Sequence, residues 1–320
     1  MHIDRPVHFL PSRTLRYTLW GCLILIGFAL LGLWLDPRQV LGMPAWSKTF
    51  KFAVSLALYA LTLNWMIAVL PPRARVIRNL FKAGTVLIVL EVVLIVVQTV
   101  RGVPSHFNIS TPLDTLIWGA MGSMIVVFFV LNLLAMILMC FQRGNHPVLM
   151  LGMRLGLFLS LLGFLEGYLM TAPNALQQAA LNAGQQLDLV GAHTVGVLKD
   201  GGPGLPLIGW STTHGDLRIA HFFGTHAMQV LALLALYLTR IPQRRMFETT
   251  KMQLLWVWAA GYLGLVGLQV WQALRNEPFL NPSMTVLLSG VGLVALVVAG
   301  TWGVIQAGRV QTLRFSRSIR

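Results

Sequence analysis

The chain has 320 residues, of which 56% are hydrophobic and only 11% charged, and its mean hydropathy is +0.72. That composition lies outside the range of soluble globular domains and marks a membrane protein. The formal charge of +14 does not indicate nucleic acid, because the basic residues are spread over the short segments between apolar runs, as in loops on the cytoplasmic side of a membrane.

Apolar stretches of the ~20 residues needed to cross hydrocarbon recur eight times. In chain order they fall at 16–35, 50–70, 79–100, 113–140, 148–170, 216–239, 252–274 and 283–305. The predicted fold is an all-α, eight-helix membrane bundle. The first run is long enough to span and carries no small-residue cleavage site, so it reads as a retained helix. Seventeen of the 24 Lys and Arg residues fall at the termini and in the 2–3, 4–5 and 6–7 connections, so both termini are expected in the cytoplasm. Cys22 and Cys140 then lie near the cytoplasmic ends of their spans, where thiols stay reduced.

Short motifs repeat in order along the chain. The third span ends in Gln98, Arg101 and Pro104, and the seventh in Gln272, Arg275 and Pro278, the same Q-x-x-R-x-x-P. Lys48, Lys51 and Phe52 open the second span as Arg218, His221 and Phe222 open the sixth, and Gly27 before Pro37 matches Gly163 before Pro173. These matches predict a tandem duplication of a four-helix unit, residues 1–145 and 146–320, by analogy with carriers built from parallel repeats. The second half carries a long outward loop, 171–215. It begins as an interfacial helix from Ala175 to Leu187 and continues as a Gly/Pro-rich segment, Gly191 to Thr213, without regular structure. Trp210 and the apolar residues around it predict a lid folded onto the bundle.

Counting ~1.5 Å per residue from the outer end of each span places His221 and Glu166 about 7 Å deep, Gln98 about 5 Å, Gln269 about 10 Å, and Glu91 and His226 about 15 Å deep. An ionisable group at bilayer depth costs at least ~2.5 kcal/mol, so these side chains are expected to face the interior with partners, Glu91 and His226 among them. Glu91, Glu166 and His226 are the candidate catalytic or proton-transferring residues. Lys48, Lys51, Arg101, Arg218 and Arg275, with Gln98, His106, Asp216, Gln269 and Gln272, form a basic and polar mouth suited to an anionic small molecule or lipid headgroup.

His221, His226 and His106 are the candidate metal ligands. Five residues apart on one helix, His221 and His226 point ~140° from each other, so each imidazole is expected to work with a group from another helix. Three chemistries remain open: a b-type haem with axial histidines from different helices, a zinc or iron ion held by a histidine and a glutamate, and a histidine–glutamate proton relay in a transporter. A non-catalytic membrane subunit also fits. His214 reads as part of a helix cap with Thr213 and Asp216, while His2, His8 and His146 carry no function.

The stretches from Gly191 to Gln229, "SHFN" at 105–108 and "KTFKFAVSLALYALTLNW" from Lys48 resemble a family of bacterial polytopic inner-membrane proteins described as hypothetical. The resemblance covers most of the chain and implies a bacterial cytoplasmic-membrane location, with no activity to carry over. A looser likeness, on Ser105, His106, His221 and His226, is to seven-helix zinc amidases of the ceramidase type, although the H-x-x-x-x-H spacing here departs from their H-x-x-x-H.

Overall fold

Every apolar run forms a helix, and little else is regular. In the computed structural model, which describes residues 12–144 and 146–318, with side chains through Arg309, the membrane-length helices are α1 (Arg13–Leu35), α2 (Ser47–Val69), α3 (Arg75–Arg101), α4 (Pro112–Cys140), α5 (Pro147–Gly167), α7 (Leu217–Arg240), α8 (Glu248–Leu274) and α9 (Met284–Ser318). Between α5 and α7 lies the short α6 (Ala175–Asn182), and a two-residue hairpin, β1 (Gln39–Val40) with β2 (Met43–Pro44), joins α1 to α2. Eight helices long and apolar enough to cross a bilayer define an integral, multi-pass membrane protein. His2, His8 and Arg320 lie outside the described residues.

The ends of these helices follow from their own residues. Thr111 accepts the Asp114 N–H at the start of α4, where Pro112 occupies a position that needs no donor. Asp216 caps α7 through the Arg218 N–H, and α3 stops at Gly102, whose φ of 73° lies in the left-handed region. The interfacial helix expected over Ala175–Leu187 ends at Asn182, because Gly184 (φ 76°) takes the left-handed turn. It starts with a capping box in which Asn174 and Gln177 satisfy each other's backbone N–H groups.

The chain divides into two compact units, one of residues 1–142 and 170–213, the other of residues 143–169 and 214–320. The loop that the sequence assigned to the second half therefore belongs with the first. Its anchors are backbone bonds from Ile109 N to Asp188 O and from Val190 N to Phe107 O, both 2.9 Å. The buried Gln177 adds more, accepting from Gly191 N and donating to Gly191 O and Leu198 O. Gly191 itself has to be glycine: its φ is +100°, and a Cβ there would lie 2.5 Å from Met170 O and 2.8 Å from the Phe107 ring. Within each unit the same neighbours pack together: α1 on α2, α2 on α3 and α3 on α4 in one, α5 on α7, α7 on α8 and α8 on α9 in the other.

The tightest helix pair is α5 with α7. A Cβ at Gly152 would meet Ala235 Cβ at 2.3 Å, one at Gly156 the Met228 Cα at 2.9 Å, and one at Gly163 the Gly224 backbone at 2.3 Å. Small residues let backbones touch in lipid, where no hydrophobic force drives helices together. Gly163→Leu should therefore lower thermal stability in detergent by about 3 kcal/mol, the upper end for overpacking, while Gly119→Ala, with nothing within 4 Å of its Cβ position, should leave the unfolding curve in place.

At the α1–α2 turn, Asp36 accepts from the Arg38 guanidinium and backbone N–H and from Trp46 Nε1 at 2.9 Å. The Arg38 side chain first, then its backbone N–H and Trp46, hold this carboxyl well below its ordinary 3.8. A depressed carboxyl stabilises the fold above its unfolded-state pKa and loses that contribution as pH falls through its folded-state value. Hydrogen exchange of residues 36–46 should thus quicken below about pH 3.8, and Asp36→Asn should show the quicker exchange already at neutral pH.

Candidate functional site

In the first unit, the C-terminal end of α3, the N-terminal ends of α2 and α4, the β1–β2 hairpin and the 170–213 segment come together at what we term the loop face. Arg38 Nη1 donates to Val100 O there, and Lys51 Nζ to Ile208 O, at 2.9 and 2.7 Å. A cleft of about 420 Å³, lined by Leu41, Pro104, Asn108, Ser110, Asp188 and Lys199 among others, opens at this face.

Behind the cleft, the turn between α3 and α4 holds His106 in a ring of aromatic side chains. Its ring centroid lies 5.3 Å from Trp118, 6.1 Å from Phe107 and 6.3 Å from Phe52. Phe107 adopts φ 65°, an uncommon conformation for an aromatic residue that clusters at functional sites. The turn aims the two imidazole nitrogens at different groups. Nδ1 is 3.1 Å from Ser105 Oγ and Nε2 is 3.7 Å from Glu91 Oε1. Glu91 is 2% exposed, and its Oε2 has no hydrogen-bond partner among the described side chains and backbone. Lys48 Nζ stands 5.8 Å over the Phe52 ring, beside this group.

A second imidazole meets the same aromatic. His193 packs 4.8 Å from Phe107, and its Nδ1 pairs with Asp200 Oδ2 at 2.5 Å. The Asp200 carboxylate also accepts the backbone N–H groups of His193 and Thr194. Sequence inspection passes over Asp200 because D-G-G reads as a turn. Trp118, one helical turn beyond Asp114, was also missed, because nothing in the sequence marks it as packing on a histidine.

The second unit builds a related pair from other elements. Glu166 near the end of α5 is buried, with neither carboxylate oxygen hydrogen-bonded among the described residues, and His221 Nδ1 on α7 lies 3.5 Å from Glu166 Oε2. The same Nδ1 is 2.9 Å from Gly163 O. A carbonyl only accepts, so in this arrangement Nδ1 carries the hydrogen, between Gly163 O and Glu166. Gln269 on α8 is buried with an unbonded Oε1, and Tyr262 donates to Phe223 O at 2.7 Å. His226 packs its ring against Phe222 at 4.5 Å. The imidazole beside Glu91 is thus His106 of its own unit, where the sequence paired Glu91 with His226.

The expected basic mouth is largely neutralised within each unit. Arg101 pairs with Asp114, Arg218 with Asp216 and Arg275 with Glu277. Gln98 donates to Asp114 at 2.9 Å and Gln272 to Pro278 O at 2.8 Å, while Glu277 accepts the Ser283 N–H at 2.9 Å. Both copies of Q-x-x-R-x-x-P therefore tie the end of one helix to the connection or helix start that follows it. In the connection after α8, the Ser283 N–H first and the Arg275 guanidinium second hold the Glu277 carboxyl below its ordinary range.

The donor sets bear on the metal and haem readings. Each of these imidazoles meets a single carboxylate, His106 with Glu91, His193 with Asp200 and His221 with Glu166, and among the described residues no group of three or more His, Cys, Asp or Glu side chains is placed to hold a metal ion. A zinc site takes three or four protein ligands, so none of these pairs fits one. No family model, curated protein or solved structure matches this chain.

Removing Asp114 tests the clamp. Buried at 1%, it receives Gln98, Arg101 and Thr111 together, so Asp114→Ala strands all three donors and should cost about 2 kcal/mol of stability, read as a lower midpoint of unfolding in detergent. Gln98→Leu, which removes one donor and leaves the ion pair, should cost about half as much.

Proposed function

We propose that the protein is a proton-coupled membrane carrier in which His106–Glu91 and His221–Glu166 are the proton-binding pairs. The observation that carries this reading is that each unit buries one carboxylate with an unbonded oxygen and sets a single imidazole 3.5–3.7 Å from it. Ionisable groups at membrane depth are costly and mark proton relays by default. An imidazole beside a buried carboxylate exchanges a proton with it at little cost: the N–H bond breaks, the O–H bond forms, and an ion pair becomes two neutral groups.

Trp118, Phe107 and Phe52 hold the His106 ring in place beside Glu91. Lys48, beside it, adds a positive group that a small anion or lipid headgroup arriving through the loop-face cleft would meet. On this reading the loop face lies outside, the termini lie in the cytoplasm by the distribution of Lys and Arg, and the membrane is the bacterial inner membrane implied by the resemblance. The clamping of Arg101, Arg218 and Arg275 makes proton binding, and not a ring of free cations, the basis of selectivity.

Infrared difference spectra of the reconstituted protein between alkaline and acidic pH test the assignment. Two carboxylic C=O bands are expected, one lost in Glu91→Gln and the other in Glu166→Gln, and each variant should cut pH-gradient-driven uptake of small carboxylates or phosphate into proteoliposomes at least tenfold. Bands and uptake unchanged in both variants would overturn the reading. So would a Soret band or stoichiometric zinc or iron in the purified protein, which would return the site to redox or metal chemistry.

A further inference from the structure

The loop-face cleft is built from three separate stretches of the first unit, and specific contacts lock them together. The tip of the β1–β2 hairpin enters from one side, so close to the long segment that a Cβ on Gly42 would lie 2.8 Å from Gly201 O. The α3–α4 turn is tied to the same segment by the Ile109–Asp188 and Val190–Phe107 backbone bonds. Gln177 Nε2 donates to Leu189 O and Leu198 O, at 3.4 and 2.9 Å, so one buried side chain holds both parts of the segment that line the cleft, 186–189 and 198–199. A preformed space of about 420 Å³ is the size of a small-molecule site, and such sites are mostly apolar with a few placed polar groups.

The apolar part of the lining includes a strained residue. Val40 pairs with Met43 across the hairpin, so Leu41 and Gly42 alone make the turn, with φ of 51° and 74°. Two-residue turns with both φ positive favour Asn-Gly, and a leucine is out of place there on backbone grounds. Leu41 lines the cleft, where Pro104, Leu187, Leu189 and Leu198 continue the apolar surface.

Two opposite charges complete the lining, Asp188 and Lys199. Other charged side chains at this face are committed: Asp36 to Arg38, Asp114 to Arg101 and Asp200 to His193. Asp188 and Lys199 are exposed, and among the described residues their side chains form no ion pair or hydrogen bond, with each other or with any neighbour. Their backbones are nonetheless held. The Asp188 carbonyl accepts the Ile109 N–H, and Lys199 sits between Leu198, anchored by Gln177, and Asp200, anchored by the His193 and Thr194 N–H groups. The cleft thus presents one anion, one cation and a leucine-rich surface to a common space.

We infer that this cleft binds a free apolar α-amino acid, its ammonium donating to the Asp188 carboxylate, its carboxylate accepting from the Lys199 ammonium, and its side chain on the surface made by Leu41 and its neighbours. The site rests on the proton-carrier reading for its purpose, since it names the class of carboxylate carried. Binding is tested apart from transport.

Saturation-transfer NMR titration of the purified protein in detergent supplies the test, with L-leucine as the probe. Two analogues each lack one charge: 4-methylpentanoate has no ammonium and 3-methylbutylamine no carboxylate. Each should bind about fivefold more weakly than leucine, the upper end for losing an exposed ion pair. Asp188→Asn should weaken leucine by the same factor and leave 4-methylpentanoate unchanged, while Lys199→Met should weaken leucine and leave 3-methylbutylamine unchanged. Leu41→Asn should raise the unfolding midpoint, because asparagine suits the turn, and weaken leucine. Leucine binding no tighter than either analogue, or indifferent to Asp188→Asn and Lys199→Met, would overturn the site. An ethanolamine phosphate headgroup carries the same two charges. Leucine binding in phosphatidylglycerol nanodiscs should survive the addition of phosphatidylethanolamine, and its loss would overturn the free amino acid in favour of that headgroup. If leucine binds as expected but no pH gradient drives its uptake into proteoliposomes, the site stands and the carrier reading falls; if small carboxylates are taken up while leucine does not bind, the reverse holds.

Discussion

Hydrocarbon offers no hydrogen bonds, and that constraint shapes every polar feature of this chain. A side chain that would be solvated on the surface of a soluble protein must here find its partner inside the protein, where an unmet donor or acceptor costs several kcal/mol. The arginines at the helix ends meet it with carboxylates, Arg218 and Arg275 two residues away and Arg101 across the following turn in the first turn of the next helix. Asn64 meets it by accepting the Ser12 N–H and Ser160 by bonding the Thr225 carbonyl and the Met228 N–H. Among the described residues, twelve buried side-chain polar atoms stand outside this pattern, the carboxylate oxygens among them. Glu91 and Glu166 keep oxygens without a protein partner, and each of them faces an imidazole.

Two carboxylates of such similar surroundings arise from quite different local sequence. Glu91 sits on a helix and draws its histidine from the turn fifteen residues later, whereas Glu166 and His221 come from neighbouring helices separated by a long loop. The recurring order of helix contacts, and the two Gln–Arg clamps at corresponding ends, set comparable frames around the pairs. What the frames share is the clamp; what differs is the element that brings the imidazole. A loop histidine such as His106 can move with its turn, and a helix histidine such as His221 is fixed by the backbone it grows from.

The membrane helices were legible because hydrophobicity over ~20 residues is a strong, local signal. All eight expected spans match a helix, and their N-terminal ends differ by at most four residues; the larger excess is α9, which runs to Ser318 where the apolar run ends near 305. Burial was legible too, since an ionisable group inside an apolar span is costly to leave without a partner, and Glu91 and Glu166 are buried. Partnership was not. His106 lies in a connection, where periodicity says nothing about where the chain returns, and the 170–213 segment reaches its place through backbone bonds to residues 107 and 109 that leave no trace in composition. Of the cations expected at the mouth, Arg218 and Arg275 pair with the acids two residues away in sequence, Asp216 and Glu277.

The glycine contacts between α5 and α7 bear on how freely this protein can change. Where two backbones touch, as at Gly163 and Gly224, the spacing between the helices is set by main-chain atoms that substitution cannot trim. Glu166 lies less than one turn beyond Gly163, and His221 less than one turn before Gly224. Mutational drift elsewhere in the second unit can therefore repack side chains against lipid while the separation of this acid and base stays fixed, and inheritance should tolerate far less variety at those two glycines than at the histidine's lipid-facing neighbours.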